Sequence, residues 1–421
     1  MELKEVQKRN FRVMIAEGAL FFTGMAFIDT TSVIPIFIDT YTKSMQLAGL
    51  ANTIKMSVPL LIQLLIGPHV KSIKDVPTFL TRISFIFRPL PLLMLPVLLL
   101  SKNPYTIVGT FLAIFACLWA SDGIVYIPWL DLFSRTIHPN KRGKLLGYQQ
   151  LVSGIGGLGS GFIIKYTLQN TQISNGVKYS IIFGLSAFFL FLSAVMMSLV
   201  KDVPRVIEHE KPSYKEYFRK LPSHLRKNKD YSQMIVIQLI NSITAMLYPF
   251  IILFCKNTFA LTASQVSTLI YIQIIGSLIG GLFWGMISQK LGNKYVIILC
   301  QTASLFLSGI SLTAMIFKNQ LSSMLLLGFI TLLSGFSIGG SWLGFTNYTI
   351  DIIPETERPT YFVLTSIITF PFTLASYLAG VIIDVWGFAV LFIICICAAV
   401  INLPLCARLK SPKQIFPDTT V

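Results

Sequence analysis

The sequence predicts an all-helical integral membrane protein, with twelve transmembrane helices in two six-helix bundles related by pseudo-two-fold symmetry. Three observations carry this expectation. The 421 residues are 54% hydrophobic and only 12% charged, with a mean hydropathy of +0.70, where a soluble domain carries about 25% charged residues. Apolar runs of about 20 residues, each able to cross a ~30 Å hydrocarbon core, recur along the whole chain. Two of the loops between them repeat at nearly one sequence offset.

The runs fall at 12–38, 46–67, 78–100, 105–130, 145–166, 178–200, 232–255, 263–287, 295–317, 321–350, 360–383 and 386–407. The first is too long, and with Glu17 and Asp29 too acidic, for a cleavable signal. Once these spans are removed, no soluble catalytic domain is left over.

The net charge of +16 follows the spans. Lys4, Lys8, Arg9 and Arg12 precede span one, and Lys71 and Lys74 follow span two. Arg135, Lys141, Arg142 and Lys144 follow span four; Lys290 and Lys294 follow span eight; Arg358 follows span ten; Arg408, Lys410 and Lys413 end the chain. The alternate loops hold only Lys43, Lys102, Lys165, Lys178, Lys256 and Lys318. By the positive-inside rule both termini are cytoplasmic, and the plasma membrane is the expected site. The basic excess is thus a topology signal and a grip on anionic headgroups, not a nucleic-acid surface. Between spans six and seven lies the one long polar stretch, 201–233. Its basic residues alternate with Tyr214, Tyr217, Phe218 and Leu225. That pattern fits a short interfacial helix and equally a solvated linker. The expected organisation is a bundle at 1–200, a cytoplasmic loop at 201–231 and a bundle at 232–421.

Cys117, Cys255, Cys300, Cys395, Cys397 and Cys406 sit in or at the ends of apolar spans and read as packing residues. His69, His138, His209 and His224 fall in the loops, so no metal site or other cofactor is expected within the membrane. A phosphate-binding Gly-x-x-x-x-Gly-Lys loop is absent from the sequence, which leaves an ion gradient as the source of energy for uphill transport.

The repeat is carried by "GPHVKSIKDVPTFL" from Gly67 and "GMISQKLGNKYVII" from Gly285, 218 residues apart. It is carried again by "TIHPNKRGKLLG" at Pro139 and "DIIPETERPTYF" at Pro354, 215 apart. Two loops at nearly one offset point to parallel six-helix repeats. With twelve spans, cytoplasmic ends and these turns, the chain resembles the major facilitator superfamily. That family's signature turn, Gly-x-Leu-Ala-Asp-Arg-x-Gly-Arg-Lys, maps onto Gly285, Ile287, Ser288, Gln289, Lys290, Gly292, Asn293 and Lys294. The resemblance implies alternating access by two rocking bundles. It also implies an acidic latch in the turn, but Gln289 stands at that place and Asn293 also departs from the pattern. In the first-half copy Lys71 takes the acidic place. The glycine-rich span five resembles the antiporter motif of the family's exporters, without its proline. "DTTSVIP" from Asp29 is similar to a helix-one pattern of some proton-driven exporters.

Ionisable residues inside the spans are functional suspects, because an unpartnered charge in lipid is costly. Glu17, Asp29, Lys55, Arg88 and Asp122 all lie in the first half; the second half holds none well inside a span. Counting depth from the span ends pairs Asp29 with Lys55, and Arg88 with Asp122. Glu17 lies nearer the cytoplasmic end and, at 100° per residue, points about 120° away from Asp29; it reads as an interface residue. Each pair is either a proton- or cation-responsive coupling group or an ion pair that fixes helix packing.

Span four carries Trp119, Asp122, Tyr126 and Trp129 on one face. The Trp119 and Tyr126 faces suit a substrate wall, while Trp129 fits core packing or the interfacial belt. Gln150 in span five, Gln238, Asn241 and Tyr248 in span seven, Gln273 in span eight and Asn347 in span ten can bind a polar solute or simply join helices. Small-residue stripes, Gln150–Gly154–Gly157–Gly161, Gly276–Gly280–Gly281–Gly285 and Gly335–Gly339–Gly340–Gly344, let helices approach closely.

The expected function is a secondary transporter, monomeric and not an enzyme. Its partners are the bilayer, a small-molecule substrate and a proton or other cation. Proton-coupled export of an amphipathic or cationic solute stands first. Uptake of a sugar-like or other polar metabolite by proton or sodium symport is the alternative, and a non-transporting scaffold is the third reading.

Overall fold

The computed structural model describes residues 3–66, 73–202, 228–318, 323–353 and 358–410. The first-half signature loop at 67–72, the loop at 203–227 and Pro354 lie outside these residues. The chain divides into two compact units, Met1–Lys43 with Ile54–Pro212, and Ser44–Thr53 with Ser213–Val421. Ten helical runs among the described residues are long and apolar enough to cross a membrane.

In unit one, span one is two helices, Leu3–Ala26 and Val33–Thr42. Span two is Met45–Ile66, whose first turns cluster with unit two. Span three is Val76–Phe87, a 3₁₀ turn at Leu90–Leu93 and Met94–Leu100. Spans four, five and six are Pro104–Thr136, Pro139–Gln169 and Asn175–Ser198.

The continuous first span expected at 12–38 is therefore broken, and the break follows from its polar residues. The Asp29 Oδ1 accepts from the Thr31 N–H at 2.9 Å, the Thr31 hydroxyl at 2.6 Å and the Ser32 hydroxyl at 2.9 Å. Such local side-chain bonds offer the backbone an alternative to the helical ladder. In span three the break carries Pro89 and Pro91, which lack the N–H a continuing helix needs. The helix ends are set by short polar side chains. Asp75 accepts from the Thr78 N–H at 3.1 Å, and the Thr78 hydrogen bonds hold its carboxyl below the usual carboxylate range. Asn103 and Ser174 cap spans four and six in the same way.

Span one packs on spans five and six. The close approaches to span five are at Gly18, against the Gln149 side chain, and at Gly156, against Thr23. The stripe expected through Gln150 and Gly157 does not make this contact: Gln150 is exposed and Gly157 faces open space. The buried glutamine is Gln149, whose Nε2 donates to the Met14 carbonyl at 2.6 Å.

In unit two, span seven is Lys229–Ala245, a 3₁₀ turn at Tyr248–Phe250 and Ile251–Thr258. Spans eight, nine and ten are Ala263–Lys290, Asn293–Ile316 and Met324–Ile352. Span eleven is Arg358–Thr369, Phe370–Leu374 and Ala375–Trp386, and span twelve is Phe388–Ala407. Pro249 marks the break in span seven and Pro371 the break in span eleven. A Thr262–Gln265 capping box opens span eight. Residues 44–53 join this unit through Asp384, which accepts from the Met45 and Gln46 N–H groups at 3.3 and 3.2 Å. Asn52 also donates to Ser376 at 2.8 Å.

Each unit closes one end with an apolar cluster drawn from corresponding places. In unit one Met14, Val76, Phe133, Leu145 and Met197 come from spans one, three, four, five and six. In unit two Met234, Ile297, Ile352, Tyr361 and Cys406 come from spans seven, nine, ten, eleven and twelve. The repeat seen in two loops of the sequence is therefore also a repeat of packing.

Candidate functional site

Unit one gathers its buried charge around the joint of span three. Arg88 follows the first helix of that span and precedes Pro89. Its Nη2 donates to the Glu17 Oε1 at 2.8 Å, and its Nη1 to the Ser193 hydroxyl at 2.6 Å. The two side chains of the ion pair are 8% and 5% exposed, so neither charge leans on water. Ser193 in turn donates to Glu17, with its carbonyl at 2.9 Å and its Oε1 at 3.3 Å. The guanidinium also lies 5.0 Å from the Phe21 ring.

This overturns the expected Arg88–Asp122 ion pair, and with it the reading of Glu17 as an interface residue. Depth alone did not discriminate. Glu17 lies 14 residues from Leu3, Arg88 12 from Val76 and Asp122 14 from Thr136, or about 18–21 Å at 1.5 Å per residue. All three share one level. Spans one and six meet closely, with Ser186 donating to the Gly24 carbonyl at 2.9 Å, and that contact brings Glu17 and Ser193 together on the guanidinium. The usable signal was Glu17 itself, a carboxylate inside an apolar run.

Asp122 makes no hydrogen bond or ion pair with a described residue, yet it feels the charges of both Arg88 and Glu17. It lines a cavity with Arg88, Phe21, Ser84, Trp119 and Ser121 whose free volume is ≈ 10 Å³, about that of one water. Two further buried polar groups of this lining, the Trp119 Nε1 and the Ser84 hydroxyl, have no hydrogen-bond partner. Tyr126, expected on the same wall, is 43% exposed and outside the lining. Trp129 stacks on Phe133, ring centroids 5.2 Å apart, in the end cluster.

Asp29 and Lys55 do meet: the Lys55 Nζ is 3.9 Å from the Asp29 Oδ2, with side chains 27% and 31% exposed. At that exposure the pair is worth at most about 1 kcal/mol. Lys55 also lies 5.8 Å from the Trp119 ring, which ties this pair to the wall of the cavity.

Unit two offers hydrogen bonds without charge. The Asn241 Oδ1 accepts from the Gln301 Nε2 and from the Ser341 hydroxyl, and the Tyr248 hydroxyl lies 2.8 Å from the Ser304 hydroxyl. Asn241 and Tyr248 thus join spans seven, nine and ten, although the turn before Tyr248 separates them along the helix. The Gln238 Oε1 is buried without a partner. Gln273 donates to Ser334 at 3.2 Å and so joins spans eight and ten. Asn347 is half-buried and outside this network.

Residues 234–419 match the family model described as Major Facilitator Superfamily. Solved transporters superpose on nearly the whole chain. Nucleoside transporter NupG, solved as a point mutant, is 11% identical, with a TM-score of 0.69 over 95% of this chain and 100% of its own. A D-xylose-proton symporter is 14% identical, with 0.68 over 96% and 98%, and the POT family transporter PepTSo is 10% identical, with 0.71 over 95% and 98%. The second half of the chain thus resembles the major facilitator superfamily in sequence, and nearly the whole chain shares the fold of these solved transporters. Its ten membrane-length helical runs among the described residues and these superpositions give a multi-pass membrane protein with the twelve-helix, two-bundle fold. No curated protein matches it in sequence.

The family's signature turn is partly rebuilt here. Gly292 has φ +95°, a left-handed backbone that favours glycine. Gln289 and Lys290 are exposed, Lys294 is half-buried, and Gly285 faces open space. Asn293 is 8% exposed; it accepts from the Ser288 hydroxyl at 2.6 Å and donates to the Asp351 Oδ2 at 2.7 Å. This turn is thus anchored through Asn293 onto span ten, where Gln289 makes no such bond. Asn293→Ala removes both bonds, one of them charge-assisted, and is expected to cost about 1–3 kcal/mol, read as a lower unfolding midpoint in detergent. Asn293→Asp, which sets a second carboxylate against Asp351, is expected to be worse.

Proposed function

We propose that this protein is a secondary transporter, not an enzyme, that is proton-coupled and exports a small amphipathic or cationic solute in exchange for protons, with Asp122 as the group that takes up and releases the proton. The observation that carries this reading is the Asp122 carboxylate, which lines the unit-one cavity without an ion pair to any described residue. Glu17 already holds Arg88, and Asp29 holds Lys55. A carboxylate with no fixed partner can exchange a proton for a cation, and a change in its distance from a neighbouring charge changes which it prefers. The Asp29–Lys55 pair, in contact with Trp119, serves as a second responsive element. The alternation of basic loops supports cytoplasmic termini, a cytoplasmic segment at 201–231 between bundles at 1–200 and 232–421, and residence in the plasma membrane.

Uptake of a polar metabolite by symport is the second reading. The uncharged cluster of Asn241, Gln301, Tyr248 and Ser304 favours it, since such groups suit hydroxyl-rich solutes. The structural neighbours include a D-xylose-proton symporter and a nucleoside transporter.

Purified protein in liposomes with an imposed pH gradient separates the two. Export by antiport predicts solute accumulation in acid-loaded vesicles; symport predicts accumulation when the outside is acid. In either case Asp122→Asn is expected to lose gradient-driven accumulation while keeping solute exchange at equilibrium. Unchanged gradient dependence in that variant overturns the assignment of Asp122.

A further inference from the structure

Arg88 is one cation between two carboxylates. Around the joint of span three, unit one holds Glu17, Asp29 and Asp122 against Lys55 and Arg88; the buried Asp39 pairs with Lys43, and Lys178 donates to the Leu168 carbonyl. Asp29 engages Lys55 at 3.9 Å, which leaves Glu17 and Asp122 to share a single guanidinium. Arg88 is bonded to Glu17 at 2.8 Å, and it faces Asp122 across a cavity of ≈ 10 Å³.

We propose that Glu17 is a positioning residue: it holds Arg88 while Asp122 carries a proton, and releases it to Asp122 when that proton leaves. This rests on the reading of Asp122 as the proton carrier. Ser193 biases the resting arrangement, because its hydroxyl accepts from Arg88 and donates to Glu17. The exchange has a mechanical outlet in the same residue. Arg88 sits at the joint between the two helical parts of span three, just before Pro89 and Pro91, where the ladder is already interrupted and bending is least opposed. A guanidinium that moves from span one to span four therefore pulls on a hinge. It converts the protonation of one carboxylate into a change of helix angle.

The groups that face this centre are few. Span one supplies Glu17 and, one break further, Asp29; span two supplies Lys55 against Trp119; span three supplies Arg88. Span four supplies Asp122 itself, with Tyr126 one turn away, and span six supplies only the Ser193 hydroxyl. Removing the Glu17 charge frees Arg88 for Asp122 and deletes a like charge nearby. Both changes favour the ionised Asp122, so more acid is needed to load it.

The pH dependence of gradient-driven flux in liposomes tests this. Glu17→Gln is expected to move the half-maximal pH down by about one unit, a tenfold change in proton concentration. Glu17→Asp, which keeps the charge, should restore the midpoint towards that of the native protein. Ser193→Ala should move it in the same downward direction by less, and it serves as the test if Glu17→Gln does not fold. In an Asp122→Asn background, where only equilibrium exchange remains, adding Glu17→Gln should leave the pH dependence of that exchange unchanged. A midpoint that stays put or rises in both Glu17→Gln and Ser193→Ala overturns the exchange. Native flux that ignores the gradient overturns the proton-coupled reading instead, so the two failures are distinct.

Discussion

Arg88→Ala is expected to destabilise the protein by about 3–5 kcal/mol, the usual consequence of removing one partner of a buried ion pair. The Glu17 carboxylate, 5% exposed on its side chain, would remain within spans one, three and six with only Ser193 to satisfy it. Unfolding in mixed micelles, followed by the detergent fraction at half-denaturation, should show the loss. Arg88→Lys is expected to recover only part of it, since a lysine point charge cannot reach Glu17 and Ser193 with two separate N–H groups. The double variant Arg88→Ala with Glu17→Gln should be more stable than Arg88→Ala alone, because the Glu17 charge left without its partner is removed. If the single and double variants are equally unstable, lost packing against Phe21, 5.0 Å from the guanidinium, outweighs the lost charge pair.

Gly335→Val is expected to drive spans eight and ten apart, with a cost above the about 1–3 kcal/mol typical of overpacking. The obstacle is backbone and cannot rotate away. A Cβ at Gly335 would overlap the Gln273 carbonyl, one at Gly276 the Leu332 carbonyl and one at Gly280 the Phe336 carbonyl. The three contacts interlock along the most extensively packed helix pair among the described residues. Even Ala should be damaging at Gly276 or Gly335. Gly339→Ala, where a Cβ meets nothing within 4 Å, is the matched control and should be neutral or slightly stabilising through helix propensity. Equal losses at Gly335 and Gly339, scored by the same denaturation assay, would contradict this account of the interface.

Much of the candidate site was legible along the chain. The concentration of span charges in the first half and the approach of Asp29 to Lys55 both follow from one-dimensional arguments. Gly276, Gly280, Gly335 and Gly340 were legible as close-approach positions of spans eight and ten, whereas a Cβ at Gly285 or Gly339 of the same stripes meets nothing within 4 Å. In span five the stripe was displaced: Gln149 and Gly156 make the contact, and Gln150 and Gly157 point elsewhere. One residue of register turns a helix face by 100°, and the low polarity contrast of a glycine-rich helix offers nothing to fix that register.

The class of the molecule follows from the chain alone. Apolar runs of membrane length, basic residues on alternate loops and two loops at one offset require a twelve-helix repeat, because in lipid the backbone has few other ways to satisfy its hydrogen bonds. The partners of the buried charges do not follow from it; packing in three dimensions selects them. Glu17, Arg88 and Asp122 stand at one depth, so the choice between two carboxylates lay in how spans one, three, four and six turn towards one another. That rotation is set by packing at Gly24, Ser186 and Ser193, far apart in sequence. It also depends on the break at Arg88, where two prolines bend a helix that hydropathy alone reads as straight.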